Sequence, residues 1–351
     1  MAFTVRTKAR PTIHEFDLIR ALHRRHGRRT VSVIQGIGDD AAIITSRAGQ
    51  WTVLTTDLFT EGVHFDLRTA TMDDIGFRAA AANLSDIAAM GGTPQHLLVA
   101  LAIPRTGTSR HVYQLYRGMM AACRPHHVGL IGGDTSASSG GWFLSVTLIG
   151  IVPPRKALFR SGARIGDFLY VTGTIGDALA GLRLLNEPLP RAKRHSRTAP
   201  LSTRHRQFLI GRHMRPTARV AEGQWLSTYR FATSAIDISD GLSGDLRHIC
   251  EESHVGADLD LGALPLSPAC HAYAASRELD PVDLALTGGE DYELLFTVSP
   301  RERPRLEQTA LKRGFPLTCI GQIHPLRFGI QAVSSRGRRH WLANTSYEHF
   351  T

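Results

Sequence analysis

Six aspartates stand where apolar segments end, most of them beside glycine or another small residue: Asp39, Asp40, Asp57, Asp134, Asp237 and Asp240. One such aspartate alone would be interpreted as a turn former or a helix cap. Repetition of the pattern favours a shared role instead. Because strand ends and the loops after them form the sites of many α and β proteins, we expect these carboxylates to converge.

Asp86 differs from these six because it lies in an alanine-rich segment with helical spacing, residues 77–90. A carboxylate among alanine, leucine and isoleucine is rarely buried without a partner. Asn83 precedes it by three residues and would share its helix face. A cation is the expected partner of this pair.

Carboxylates with serine and threonine hydroxyls form an all-oxygen ligand set, which suits Mg²⁺ better than zinc or copper. Magnesium in turn suggests phosphates. Glycines beside the aspartates or at strand-to-helix turns would let backbone N–H groups approach anionic oxygens: Gly36, Gly38, Gly132, Gly133, Gly173, Gly176, Gly288 and Gly289. The sequence contains neither a P-loop nor a protein-kinase catalytic loop, so ATP would bind in another way.

The elements that must position these residues alternate along the chain, which indicates a mixed α and β protein. Runs rich in β-branched and aromatic residues predict strands at 51–56, 97–103, 142–152, 168–172, 231–238 and 293–298. Helical spacing predicts helices at 72–90, 109–123, 177–185, 242–253 and 302–313. Pro153-Pro154 suggests a domain boundary, giving domains 1–152 and 153–351. Residues 187–206 are predicted to form an exposed basic loop.

Composition excludes several function classes. The 351 residues carry a formal net charge of +10, but only four of the 41 basic residues are lysine, so biased residue usage explains the charge better than a nucleic-acid surface. We therefore expect no nucleic-acid partner. No segment resembles a secretory signal or a membrane span. The four cysteines are widely spaced, which favours buried free thiols and a cytoplasmic location.

Together the motifs resemble the thiamine-monophosphate kinase family, within the superfamily of aminoimidazole ribonucleotide synthetase and selenophosphate synthetase. The first half of the chain carries the similarity at residues 36–42, 55–57, 61–65, 83–91 and 132–135. The second half carries it at 160–163, 171–173, 234–242 and 288–294. The resemblance therefore extends over nearly the whole chain.

The resemblance implies an α+β fold, in which an N-terminal α+β domain with a dimer-forming sheet precedes a C-terminal α/β domain. It implies phosphorylation of thiamine monophosphate to thiamine diphosphate by ATP with several Mg²⁺ ions in a homodimer. Carried over by motif, the metal ligands are Asp40, Thr55, Thr56, Asp57, Asp86, Asp134, Asp237 and Asp240. The ATP contacts are Gly133, Asp134, Arg160 and Ser239, and the substrate contacts are His64, Glu290 and Tyr347.

Two other functions fit the motifs less well. A superfamily relative acting on another substrate is disfavoured in the selenophosphate synthetase case, because no cysteine precedes Cys123. A non-catalytic basic binding protein would not need the carboxylates. Ser346 stands before Tyr347 where the family usually has glycine. With no nucleophile left unassigned in the motifs, we expect the phosphoryl group to pass directly from ATP to the substrate.

Overall fold

The computed structural model of the chain describes residues 33–35, 39–45, 49–187, 200–334 and 336–343. The strands in these ranges form two sheets. The first sheet has the order β1-β2-β3-β6-β4-β5. Its strands are β1 (Val33–Gln35), β2 (Ala42–Thr45), β3 (Trp51–Thr60), β4 (Thr93–Pro104), β5 (Gly129–Ser138) and β6 (Phe143–Val152). All neighbouring pairs are antiparallel except β4 and β5, which are parallel.

The second sheet has seven strands in the order β13-β12-β9-β11-β7-β10-β8. They are β7 (Phe168–Thr172), β8 (Ala232–Asp237), β9 (Val255–Asp260), β10 (Leu294–Val298), β11 (Leu317–Pro325), β12 (Ile330–Val333) and β13 (Arg339–Trp341). Alternate residues of β7 enter different cores: Tyr170 packs in the cluster shared with the first sheet, whereas Leu169 and Val171 pack in a cluster on the opposite face. The second sheet is therefore buried on both faces.

The helices pack on these sheets and against one another. They are α1 (Met72–Ala89), α2 (Ser109–Cys123), α3 (Asp177–Asn186), α4 (Thr203–Met214), α5 (Val220–Tyr229), α6 (Leu242–Ser253), α7 (Pro268–Arg277), α8 (Pro281–Thr287) and α9 (Arg303–Arg313). Within the described ranges, no helix combines the length and the apolar character that a membrane span requires.

Helix α1 is the central helix, because it contacts β3, β6, α2, α5 and the site-bearing strand β8. Thr71 begins it by accepting a hydrogen bond from the Asp74 amide at 3.2 Å. Its small residues permit close packing on several sides. A Cβ on Gly76 would lie 2.0 Å from the backbone carbonyl oxygen of Leu115 in α2. In the other direction, a Cβ on Gly118 of α2 would lie 1.9 Å from the backbone carbonyl oxygen of Asp73 in α1.

The mixed α and β fold predicted from the sequence is confirmed, and each predicted strand and helix listed above overlaps an observed one. Three local predictions were wrong. Asp57 lies inside β3 and does not end it, because that strand continues to Thr60. Gly132, Gly133 and Asp134 lie inside β5, where turns were expected. The loop predicted over 187–206 ends earlier, because Ser202 caps α4 by accepting the His205 amide at 3.1 Å. The boundary at residue 153 stays a prediction.

Candidate active site

Carboxylates from separate segments meet at one place. Asp40 lies between β1 and β2, Asp86 lies in α1, and Asp237 is the last residue of β8. One carboxylate oxygen from each of these three residues lies within 4.8 Å of the others. Asp57 reaches the same place from β3, since its charge acts on both Asp86 and Asp237. Carboxylates from three segments therefore converge, and the Asp57 charge is close enough to act on two of them.

Hydroxyl groups hold two of these carboxylates, and both bonds involve neighbouring residues of α1. The Thr55 hydroxyl on β3 donates a short hydrogen bond to Asp86. The Ser85 hydroxyl donates to Asp237 at 2.6 Å, which joins α1 to the second sheet. Successive side chains on a helix point about 100° apart. Ser85 and Asp86 therefore contact different strands, β8 and β3 respectively.

Arg160 is the cation that pairs with the carboxylates between β1 and β2. Its Nη2 lies 2.5 Å from Asp40 Oδ1, and its backbone N–H donates to Asp39 Oδ2 at 3.3 Å. The other Asp40 oxygen is buried and has no hydrogen-bond partner in the described part of the chain. A buried carboxylate oxygen of this kind is costly. Its position among other carboxylates fits a bound cation.

Burial is the main cause that raises the pKa values of this cluster. It raises the pKa of Asp237 to about 8, with Asp40 adding repulsion. Burial, with repulsion from Asp240, raises the pKa of Asp57 to about 6. The pKa of Asp86 is raised for the same reasons, first burial and then Asp57. The cluster is therefore destabilised when all of its members are ionised, and divalent cations would relieve that repulsion.

Asp245 belongs to the surroundings of this cluster, although it was not singled out in the sequence. It is 1% exposed in the first turn of α6, and its carboxylate accepts the Gly241 amide at 3.1 Å. Burial, with repulsion from Asp240 and Asp237, raises its pKa. The signal was available, since Asp245 is spaced to fall in the first helical turn after the motif of Asp237 and Asp240.

Glu290 lies in a second group, on the side of α1 that carries Arg78. The Arg78 guanidinium donates to Glu290 at 2.5 Å, and His213 Nδ1 lies 3.2 Å from its other oxygen. Burial by itself would raise the pKa of Glu290, but Arg78 and His213 lower it to about 2. Glu290 is therefore ionised. Arg78 was also missed, although a charged residue in an alanine-rich helix is the same signal that identified Asp86.

Backbone hydrogen bonds attach the Glu290 segment to the end of β8. The Glu290 amide donates to the Ser239 carbonyl at 2.8 Å, and the Tyr292 amide donates to the Ile238 carbonyl at 2.9 Å. The predicted ATP contact Ser239 and the predicted substrate contact Glu290 are thereby adjacent. The backbone therefore connects the carboxylate cluster to the Glu290 group at the end of β8.

Several predicted residues lie elsewhere or outside the described ranges. The Thr56 side chain faces the opposite side of β3 from Thr55 and bonds Thr147 on β6 at 2.9 Å. Gly133 and Asp134 lie on the exposed edge strand β5, where a Cβ on Gly133 would lie 1.9 Å from the Val99 carbonyl oxygen. Tyr347 is outside the described residues. The roles assigned to these four residues stay predictions.

His64 lies in the turn after β3, with its ring against Phe59 at a centroid distance of 5.4 Å. Its Nδ1 accepts a hydrogen bond from the Thr60 amide at 3.0 Å. This bond fixes the ring orientation, because the acceptor nitrogen is engaged with the backbone. Its role as a substrate contact stays a prediction.

Known proteins resemble this chain over most of its length. The thiamine-monophosphate kinase of Bacillus subtilis (strain 168) is 38% identical over 309 residues, which cover 88% of this chain and 91% of that protein. The thiamine-monophosphate kinase of Escherichia coli (strain K12) is 39% identical over 312 residues, which cover 88% and 90%. The chain belongs to the thiamine-monophosphate kinase family. The resemblance inferred from the motifs is confirmed.

The fold of the thiamine-monophosphate kinase family agrees with the structure. Residues 38–152 match the family model described as AIR synthase related protein, N-terminal domain. A solved structure of AaThiL complexed with AMPPCP and TMP superposes with a TM-score of 0.81 at 31% identity, covering 99% of this chain and 100% of that one. The thiamine-monophosphate kinase from Stenotrophomonas maltophilia K279a superposes with a TM-score of 0.72 at 38% identity, covering 93% and 96%.

The raised pKa values predict that stability falls as pH rises when no divalent cation is present. In the unfolded chain these carboxyls titrate near 3.8, whereas in the folded chain Asp57 titrates at about 6 and Asp237 at about 8. Between these values the folded state binds more protons than the unfolded state. The contribution of these protonated carboxyls to stability is therefore full below about pH 4 and is lost as pH rises towards about 8.

We therefore expect Mg²⁺-free protein to melt at a lower temperature at about pH 8 than at about pH 5, and Asp57→Asn to reduce this difference. Mg²⁺ should raise the melting temperature most at the higher pH, because it binds the ionised cluster. Differential scanning fluorimetry measures all three effects. Asp283→Asn, at an exposed position on α8, is the control. An Asp57→Asn profile identical to that of the control would contradict the expectation.

Proposed function

We propose that this chain phosphorylates thiamine monophosphate to thiamine diphosphate with ATP as the phosphoryl donor. The observation that carries the proposal is the convergence of Asp40, Asp86 and Asp237 beside Arg160. Membership of the thiamine-monophosphate kinase family supports the substrate. The superposable AaThiL structure was solved with AMPPCP and TMP, which supports ATP and thiamine monophosphate as ligands here.

Magnesium ions belong to the proposal because the site is an oxygen-ligand site with a buried, unpaired carboxylate oxygen. Bound Mg²⁺ would supply positive charge for the oxygens of the transferring phosphoryl group. The ligands that support this are Asp40, Thr55, Asp57, Asp86, Asp237 and Asp240. Thr56 and Asp134 are the other two predicted ligands. Thr56 faces the outer side of the first sheet, and Asp134 lies on its edge strand β5.

Arg160 is proposed to contact the ATP phosphates. Its guanidinium already lies in the cluster, 2.5 Å from Asp40 Oδ1. Guanidinium geometry suits phosphate oxygens, because two N–H groups can donate in parallel. Ser239 adjoins the same place at the end of β8, and Gly133 and Asp134 on β5 are the remaining proposed ATP contacts.

Glu290 is proposed to bind the thiamine part of the substrate. As a carboxylate held by Arg78, it can accept a hydrogen bond from an amino group or face a cationic ring. Thiamine offers both, in its aminopyrimidine and its thiazolium. His64 and Tyr347 complete the proposed substrate contacts.

A homodimer is proposed because β5 leaves an exposed edge on the first sheet. Leu58 and Ile131, each 56% exposed, add apolar surface on that sheet. Exposed strand edges and apolar patches are typical of surfaces that another chain covers. A second copy of this chain would continue the sheet.

The dimer proposal predicts that Ile131→Glu lowers the sedimenting mass towards that of one chain, because a charge would be buried in the interface. Sedimentation velocity measures the mass. Leu311→Glu is the control, since Leu311 is 83% exposed on α9, away from the first sheet. A monomeric wild-type protein would contradict the proposal.

A cytoplasmic location is also part of the proposal. The four cysteines are free thiols, and three of them are buried. Reducing compartments keep such thiols unpaired.

The decisive experiment measures ADP release from ATP and Mg²⁺ with a panel of phosphorylated vitamins and nucleotides as acceptors. We expect turnover with thiamine monophosphate, and a fall of roughly 100-fold or more in Asp86→Asn, because an interaction that stabilises the transferring phosphoryl group is lost. Asp283→Asn should retain activity. Turnover with another acceptor only would instead support a different activity within the superfamily.

Direct in-line transfer is proposed because aspartates, arginine and glycine turns provide positioning and charge neutralisation, with no nucleophile assigned to the site. A single displacement inverts the configuration at the transferred phosphorus. ATP made chiral at the γ-phosphorus should therefore give thiamine diphosphate of inverted configuration. Net retention, or a phosphoenzyme trapped with ATP alone, would contradict direct transfer.

A further inference from the structure

Tyr292 is a buried residue of the site that has no role in the proposed function so far. It is 5% exposed, and its backbone amide is fixed to the Ile238 carbonyl at 2.9 Å. Among the described residues, none forms a hydrogen bond with its hydroxyl, and the hydroxyl oxygen is not one of the fully buried atoms that lack a partner. The hydroxyl therefore reaches solvent at the edge of a buried ring, where it is free to donate to a bound ligand.

The backbone around Tyr292 is held in an unusual conformation. Glu290 has φ +64° and Tyr292 has φ +50°, in the left-handed region that residues other than glycine rarely adopt. Asp291 between them is anchored, because its carboxylate accepts the Gly176 amide at 2.5 Å and the Ala178 amide at 3.0 Å. Conformations of this kind persist where the surroundings fix them, and they concentrate at functional sites.

Tyr292 lies beside both parts of the site. Glu290, two residues before it, forms the proposed thiamine-binding end, and its backbone partner Ile238 follows Asp237 of the carboxylate cluster. Burial, followed by the charges of Glu290, Asp57 and Asp237, raises the pKa of Tyr292 well above its usual value. The hydroxyl therefore stays protonated and can donate a hydrogen bond to an anion.

We propose that the Tyr292 hydroxyl donates a hydrogen bond to the phosphate of bound thiamine monophosphate. This inference rests on the proposed function. The substrate phosphate would lie between the thiamine end of the site and the carboxylate cluster, and Tyr292 is attached beside both. The bond would distinguish thiamine monophosphate from thiamine, because thiamine has no phosphate to accept it.

The test compares the binding of thiamine monophosphate and thiamine to wild-type protein and to Tyr292→Phe, by titration calorimetry with Mg²⁺ present. A hydrogen bond to a charged acceptor makes a loss of about tenfold or more expected for thiamine monophosphate. Thiamine should bind both proteins equally. A role in folding alone would not produce this difference between two ligands that share the thiamine part.

Tyr170→Phe is the matched control, because Tyr170 is 1% exposed and its hydroxyl bonds Glu307 at 2.5 Å, outside the site. It should bind thiamine monophosphate as the wild type does. Should Tyr292→Phe fail to fold, Tyr292→Asn removes the phenol with a residue type that tolerates the left-handed conformation, and gives the same comparison.

Each outcome decides the inference. Equal affinity of the Tyr292 variant and the wild type for thiamine monophosphate would overturn the assignment of Tyr292 and leave the proposed function standing. If the Tyr292 variant bound AMPPCP more weakly but thiamine monophosphate as tightly as the wild type, the assignment would also be overturned, because the hydroxyl would then contact the nucleotide. Failure of the wild type to bind thiamine monophosphate would overturn both proposals together.

Discussion

The burial of several carboxylates at one point is the constraint on which the rest of the site depends. Asp40, Asp57, Asp86 and Asp237 come from four different segments, and their mutual repulsion and loss of hydration both oppose folding. Arg160 neutralises only part of this charge. The proposed cations and phosphates would offset this cost, because they would gain strong interactions with the site away from water.

Helix α1 is what makes the convergence possible. Its length places Arg78 beside Glu290 and, about two turns later, Ser85 and Asp86 beside the carboxylate cluster. One rigid element thereby fixes the distance between the proposed thiamine-binding end and the proposed metal-binding end. Its glycine and alanine residues let α2 and α5 pack closely, so polar side chains on the other faces can be held in place.

The segment 290–292 makes the complementary connection from the second sheet. Its amides bond to the carbonyls that follow Asp237, so the proposed substrate and phosphate contacts lie at the same strand end. Glu290 and Tyr292 both adopt left-handed backbone conformations in this segment. Proximity of the reacting groups, on which phosphoryl transfer chiefly depends, would follow from this arrangement.

The sequence by itself determined the alternation of strands and helices, the family and most of the carboxylates, because periodicity and short motifs are local properties of the chain. It could not place Thr56 on the outer face or Asp134 on an exposed edge, since strand ends and register depend on pairing with β6 and β4.

Only the tertiary structure identified Arg78, His213 and Asp245 as residues of the site. Their partners are Glu290 for the first two and Gly241 for the third. The contacts of Arg78 and His213 join residues far apart in the chain, and the Asp245 contact acquires its role from the cluster around it. Only tertiary packing brings such groups together and sets the burial that governs their charge.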